Sequence, residues 1–334
     1  MLFYLSMPNS RARFLPRAIV AALATVPYLP TLGFGFVFDD MYLVVRNPFL
    51  REPWTFIVAF ARHFWYGTQF EAGYYRPIVV ASFALNGSLL GWDAAGFHLV
   101  NVLLHAANAV LVIVLARRLG VPERASWIAA AFFAIHPVAA WPVASVVARV
   151  DLLPAFFVLL AWCCHASPRP GKRSALLTGL FFLAALACKE SAIAFLAVPL
   201  LTWLRPPVGP AGESGSQRAR RLGACSLALG LYCVMRRAAG VPFQLGRNLI
   251  DPVINPLAHV PFPGRLYAAL RLSGRYLLYL LVPTRFSDGA DYNPASTTVF
   301  GPWQPGVLFG LGVVIVLGFA ILELRRRRRP VAVP

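Results

Sequence analysis

Apolar residues in this chain come in long runs and do not alternate with polar ones. Residues 18–36, 97–116, 125–135, 152–165, 174–188, 191–204, 222–235 and 307–324 are dominated by Ala, Leu, Val, Phe and Ile, with polar residues gathered at their ends. Runs of this kind predict helices in lipid, because a helix satisfies its own backbone donors and acceptors where no water is available. The expected fold class is therefore all-α, a polytopic membrane helix bundle of about eight transmembrane helices forming a single membrane domain over residues 1–334. The run 77–90 is short for a crossing and is broken from the next by Gly91-Trp92-Asp93, so it reads as an interfacial helix. Residues 265–283 have the length of a crossing but carry Arg265, Arg271 and Arg275, and are expected to lie along the membrane or partly enter it. No internal repeat is visible, which argues against an inverted-repeat transporter.

Composition sharpens the class. The chain has 334 residues, of which 58% are hydrophobic and only 13% charged, with a mean hydropathy of +0.64. A soluble domain carries about 25% charged residues, so a soluble protein is excluded. The formal net charge is +18, and its location decides what that charge means. Eighteen of the 31 basic residues fall in five short clusters, at 11–17, 117–124, 169–173, 205–221 and 325–329. That is the signature of cytoplasmic loops, and it leaves no reason to invoke nucleic acid. The first run has no small-residue cleavage site behind it and reads as a retained span. It follows that the linker 205–221 and the basic tail 325–334 are cytoplasmic, while 38–76 and 236–263 are outer loops. The five cysteines lie in or beside apolar runs, without zinc-site spacing, and read as inert thiols.

This topology places Asp39, Asp40, His136, Arg149, Asp151, Lys189 and Glu190 at the outer ends of spans, where ordinary solvated rim residues would also sit. Two adjacent carboxylates repel one another, which raises one pKa and makes a base that works near neutral pH; such a pair also leaves a divalent metal as an option, though no cofactor is called for. Lys189 and Glu190 either neutralise each other or divide the work of meeting a phosphate. Arg236, Arg237 and Arg275, among other outer arginines, suit a lipid-linked phosphate or simply lipid head groups.

Several segments occur in a familiar order: Phe38-Asp39-Asp40, Tyr75-Arg76-Pro77, Gly96-Phe97-His98-Leu99-Val100-Asn101 with His105 and Asn108, His136-Pro137-Val138, Arg149-Val150-Asp151-Leu152-Leu153 and Cys188-Lys189-Glu190. Asn255-Pro256-Leu257, Arg265, Tyr276-Leu277, Pro283 and Asp291-Tyr292 continue the set. In these the chain resembles membrane glycosyltransferases of the GT-C fold, most closely the TMTC-type protein O-mannosyltransferases and their bacterial relatives that carry tetratricopeptide repeats. The resemblance implies an inverting enzyme that transfers a sugar, mannose among the candidates, from a polyprenyl-phosphate carrier to a protein or glycan acceptor on the non-cytoplasmic face. A bacterial inner membrane is the expected location. By position Asp39 is the implied general base, with Asp40 beside it as the second catalytic candidate. Lys189, Arg149, Arg236, Arg237 and Arg275 would bind the donor phosphate, and Arg76, His136, Asp151 and Glu190 would support them. Two departures stand out: His136-Pro137-Val138 is followed by Ala139-Ala140-Trp141, where the family has a second histidine and a glutamate, and the chain ends after the arginine run, where relatives continue. A transporter or flippase for lipid-linked intermediates, and a truncated non-catalytic relative, are the alternatives.

Overall fold

The computed structural model describes residues 10–70, 73–204, 214–242, 257, 260–283 and 301–327. The chain divides into two compact units, 1–243 and 244–334. Among the described residues there are helices and no strand.

The first unit begins with α1 (Ser10–Thr25), which tightens into a 3₁₀ segment, Val26–Gly33, where Pro27 and Pro30 interrupt the α-helical ladder. A long loop with the short helix α2 (Thr55–Val58) leads to α3 (Pro77–Leu90). There follow α4 (Ala94–Arg118), α5 (Glu123–Ile135), the short α6 (Ala140–Ala144), α7 (Arg149–His165) and α8 (Lys172–Leu186). A 3₁₀ turn, Glu190–Leu196, then joins α9 (Ala197–Trp203), and α10 (Gly215–Ala238) closes the unit. α4 packs on α1, α5 and α7; α8 packs on α7 and α10.

Cross-links divide the unit into two ends. At one, Asn101 Nδ2 donates to the Ser145 carbonyl (2.8 Å), Ile78 N to that of Ala187 (3.3 Å) and Arg236 Nη2 to that of Gly73 (2.7 Å). At the other, Arg118 donates to the Cys163 carbonyl, Gln217 Nε2 to that of Pro170 (3.2 Å) and Arg218 Nη1 to that of Trp203 (3.5 Å). The basic clusters around Arg118, Arg169 and Arg218 thus share the second end, as alternating crossings require. α3 runs across the first end, since its middle residues Ser82 and Asn86 meet the start of α7 while Arg76, before its first turn, meets Glu190.

The all-helical expectation holds among the described residues, but the full count of about eight spans is not shown. Among the described residues two segments, Leu15–Gly33 and Ala94–Arg118, are long and apolar enough to cross a membrane, or three if Glu123–Ile135 and Pro137–Ala144, bent by 47°, count as one broken span. Geometry explains the shortfall: α8, with 15 residues, is about 22 Å long, against a hydrocarbon core of about 30 Å. Arginines also enter the helical ends: Arg218, Arg220 and Arg221, expected in the linker, already lie in α10. Residues 205–213, 243–256 and 328–334, and with them Asn255, Asp291 and Tyr292, lie outside the described residues.

The second unit contains α11 (Phe262–Leu281), the segment expected to lie along the membrane, and α12 (Pro305–Arg327), which pack together.

Candidate active site

At the end away from the basic clusters, the chain leaves the first span through Phe34 and turns sharply at Phe38, whose φ of +47° is left-handed and uncommon for an aromatic residue. The turn is fixed by Asp40. Fully buried, Asp40 accepts Val37 N on Oδ2 (3.1 Å) and Val147 N on Oδ1 (2.8 Å), tying the exit of the first span to the loop before α7. Burial raises its carboxyl above the usual aspartate range, opposed by the two amides and by nearby His98. Asp39 is the converse: exposed, with no hydrogen bond or ion pair on its carboxylate among the described residues, and raised by desolvation on its protein side. Of the two expected acids, one is a structural clip and the other has an exposed, unengaged carboxylate.

A second cluster centres on Glu190. Its Oε1 accepts Arg236 Nη1 (3.1 Å) and Tyr75 N (3.3 Å), and its Oε2 accepts Arg76 Nε and Nη2 (both 3.4 Å). Arg236 is buried and also donates to Tyr232 Oη (3.3 Å) and to the carbonyls of Gly73 (2.7 Å) and Pro242 (2.9 Å). The Arg76 guanidinium lies 4.4 Å from the Tyr74 ring centre and 5.1 Å from that of Phe64. Tyr75, pushed up to about 12 by burial, keeps its proton and donates it to the Phe60 carbonyl at 2.7 Å. Next to this cluster Lys189 pairs with Asp151 at the start of α7, and not with Glu190 as adjacency suggests. Backbone direction is the reason: Lys189 is extended and Glu190 opens a 3₁₀ turn, so their side chains diverge.

Arg149 does something other than meet a donor. Its side chain is 0% exposed; Nε donates to Asn101 Oδ1 (2.8 Å), Nη1 to the Ser82 carbonyl (3.2 Å), and Nη2 to Asn86 Oδ1 (2.7 Å) and the Phe97 carbonyl (3.0 Å). Phe83 and Phe97 flank it at 4.9 and 5.6 Å. Such an arginine joins α3, α4 and α7 and presents nothing to a ligand. His136 is a helix cap, its Nδ1 accepting Val138 N at 3.1 Å. Arg237 is exposed at the end of α10, while Arg275, in the second unit, donates to Tyr279 Oη at 3.0 Å. No three His, Cys, Asp or Glu side chains gather to hold a metal among the described residues, and both oxygens of Asp40 are already engaged by amides. The sequence had not pointed to Val147, Tyr232 or Ser82 as partners. Asn86 and Asn101, amides set inside apolar runs, were the readable sign of a buried polar junction.

A helical membrane protein with an unengaged carboxyl and an arginine–glutamate cluster at the same end of its first unit is the class that fold and site define. Comparison with known proteins gives the kinship. The chain is 38% identical to protein O-mannosyl-transferase Tmtc1 of Drosophila melanogaster over 205 residues, covering 59% of this chain and 23% of that protein. It is 36% identical to Tmtc2 of the same fly over 299 residues, 84% of this chain and 31% of the relative. Against human TMTC4 it is 34% identical over 210 residues, 55% of this chain and 28% of the relative. The resemblance carried by the motifs is thereby borne out: the curated homologues are TMTC-type protein O-mannosyltransferases. The chain spans less than a third of the length of these relatives. No family model matches it, and neither does any solved structure.

Proposed function

We propose that the chain is a membrane glycosyltransferase of the GT-C type that moves a sugar, mannose on the pattern of its relatives' names, from a polyprenyl phosphate to a hydroxyl of a protein or glycan. The reaction takes place at the non-cytoplasmic end of the bundle, in a bacterial inner membrane. Asp39 removes the proton of the acceptor hydroxyl as its oxygen bonds to the anomeric carbon; the carbon–oxygen bond to the phosphate breaks, the phosphate keeps the electron pair, and the configuration inverts. Lys189 and Arg237, half-buried and exposed respectively at that end, supply cations for the phosphate, with Asp151 holding the lysine in place. Arg76 and Arg236, drawn onto Glu190, shape the wall behind them.

One observation carries this reading: Asp39 is a solvent-facing carboxyl with a raised pKa, held out by a left-handed Phe38 and a clipped Asp40. Backbone strain of that kind costs of order 1–3 kcal/mol and persists where surrounding contacts enforce it. The test is transfer of labelled mannose from polyprenyl-phosphate mannose to a Ser/Thr-rich peptide by the purified full chain. Asp39→Asn should lower turnover by ~10²–10⁴-fold with donor binding little changed. Unaltered turnover would remove Asp39 from the chemistry, and no transfer by the wild type to any acceptor would remove the enzyme reading.

A further inference from the structure

The stretch from Arg51 to Arg62 behaves unlike a water-facing loop. Thr55 and Ala59, one helical turn apart, are its buried residues and face α2 and the turn after it toward α3. The large side chains point the other way: Trp54 is 66% exposed, Ile57 57%, and Phe56 and Phe60 are exposed with them. Two small anchors inside and four large apolar groups outside invert the usual partition. Exposed leucines and valines on the span helices face lipid tails as a matter of course, but this set sits in a loop, at the end of the bundle where Asp39 lies. Contiguous apolar surface outside a span marks an interaction site.

The rim narrows the choice of partner. Exposed Arg51 and Arg62 bracket the patch, and each guanidinium lies 4.6 Å from an aromatic ring centre, Trp92 and Tyr66 respectively. A tryptophan with phenylalanines and an isoleucine, flanked by arginines stacked on rings, matches the boundary between acyl chains and lipid phosphates: rings enter the apolar side while guanidinium groups stay with the phosphates. The exit from the first span, at the same end, is apolar on its surface too, with Phe34, Val37 and Phe38 exposed.

We propose that residues 54–60 form a membrane anchor seated in the headgroup–acyl boundary of the leaflet on the Asp39 side, with Arg51 and Arg62 on lipid phosphates. The loop that begins at Asp39 is then tethered twice, at the end of the first span and at its own middle. On the glycosyltransferase reading, and only for this clause, the two tethers hold the base at the depth of a lipid-linked phosphate.

The experiment uses the full chain, one copy per lipid nanodisc. Cys164→Ser and Cys233→Ser remove the half-buried thiols, leaving Cys163, Cys188 and Cys225, which are buried. A nitroxide is placed at Ile57→Cys, and in a separate sample at the exposed Glu52→Cys. Collision with oxygen, which concentrates in lipid, and with a water-soluble nickel chelate is then measured. The oxygen-to-nickel ratio should be several-fold higher at 57 than at 52. Equal ratios would mean water at the patch, and exclusion of both reagents at 57 would mean cover by protein; either overturns the anchor. A second measurement does not depend on the label: lipids with brominated chains should quench wild-type tryptophan fluorescence more than that of Trp54→Phe, and equal quenching overturns the proposal. Neither readout involves sugar transfer, so loss of the enzyme reading would leave both standing, and loss of the anchor would leave the Asp39 test intact.

Discussion

Asp39 and Asp40 are neighbours in the chain with opposite surroundings, and pH separates them from the rest of the molecule. The raised Asp39 carboxyl should put the acidic limb of the kcat/KM profile above the ordinary aspartate value of about 3.9, and a limb at or below that value would contradict its role as base. Stability follows with a definite sign. A carboxyl whose pKa is higher folded than unfolded contributes stability that is complete below the unfolded value and is lost as pH rises through the folded one. The melting temperature of the wild type relative to Asp39→Asn should therefore fall as pH climbs out of the acid range, and a flat difference would refute the shift. The two cation–carboxylate clusters predict unequal costs. Glu190→Gln removes the charge that neutralises Arg76 and the buried Arg236 and should cost about 1–3 kcal/mol. Lys189→Met breaks a pair whose side chains are 29% and 41% exposed and should cost about 1 kcal/mol or less, most of it recovered by adding Asp151→Asn and not Glu190→Gln. Thermal melts of the four variants in detergent decide, and the reverse ranking would mean that Lys189 has the stronger partner. Which residues carry charge at this end was legible in the sequence. Which cation meets which carboxylate was not, because pairing between helices depends on side-chain direction, and spacing along the chain is silent about it.

At the scale of elements, the runs of apolar residues located α4, α5, α7 and α8 to within about three positions, since a lipid-facing helix must be apolar along its length, but missed the polar first turns of α1 and α10, which begin at Ser10 and Gly215. Helix type and bending escaped the pattern: the 3₁₀ segments at Val26–Gly33 and Glu190–Leu196 and the 47° break after Ile135 depend on prolines and on tertiary contacts. Fewer of the described helices than of the apolar runs reach the length and composition of a crossing. One close approach gives a test of packing. A Cβ at Gly179 on α8 would lie 2.9 Å from the Ala224 carbonyl oxygen on α10, and backbone there cannot move aside cheaply. Gly179→Val should destabilise by about 1–3 kcal/mol through overpacking, whereas Gly223→Val, with nothing within 4 Å of its Cβ, should change stability only by the small helix-propensity difference, which favours valine over glycine. Equal losses of detergent-solubilised stability in the two variants would show that the α8–α10 contact is looser than drawn here.

For the whole molecule the charge clusters forecast a two-ended bundle, and within the first unit the cross-links at either end agree with it. The direction in which it points is then a forecast of labelling: a cysteine at Ser216, exposed in the first turn of α10, should resist an impermeant maleimide in intact cells, while one at Glu52 should react; the opposite pattern would invert the protein in its membrane. Arg149 bears on how such a bundle comes to exist. Its guanidinium has no carboxylate within its cage among the described residues and depends on acceptors from two helices, Ser82 and Asn86 on α3, Phe97 and Asn101 on α4. As the chain emerges from the ribosome, α3 and α4 are made some fifty residues before α7, and their amides wait in an apolar setting until the arginine arrives. A chain halted before residue 149 therefore leaves the amide oxygens of Asn86 and Asn101 without the donor they meet in the finished fold.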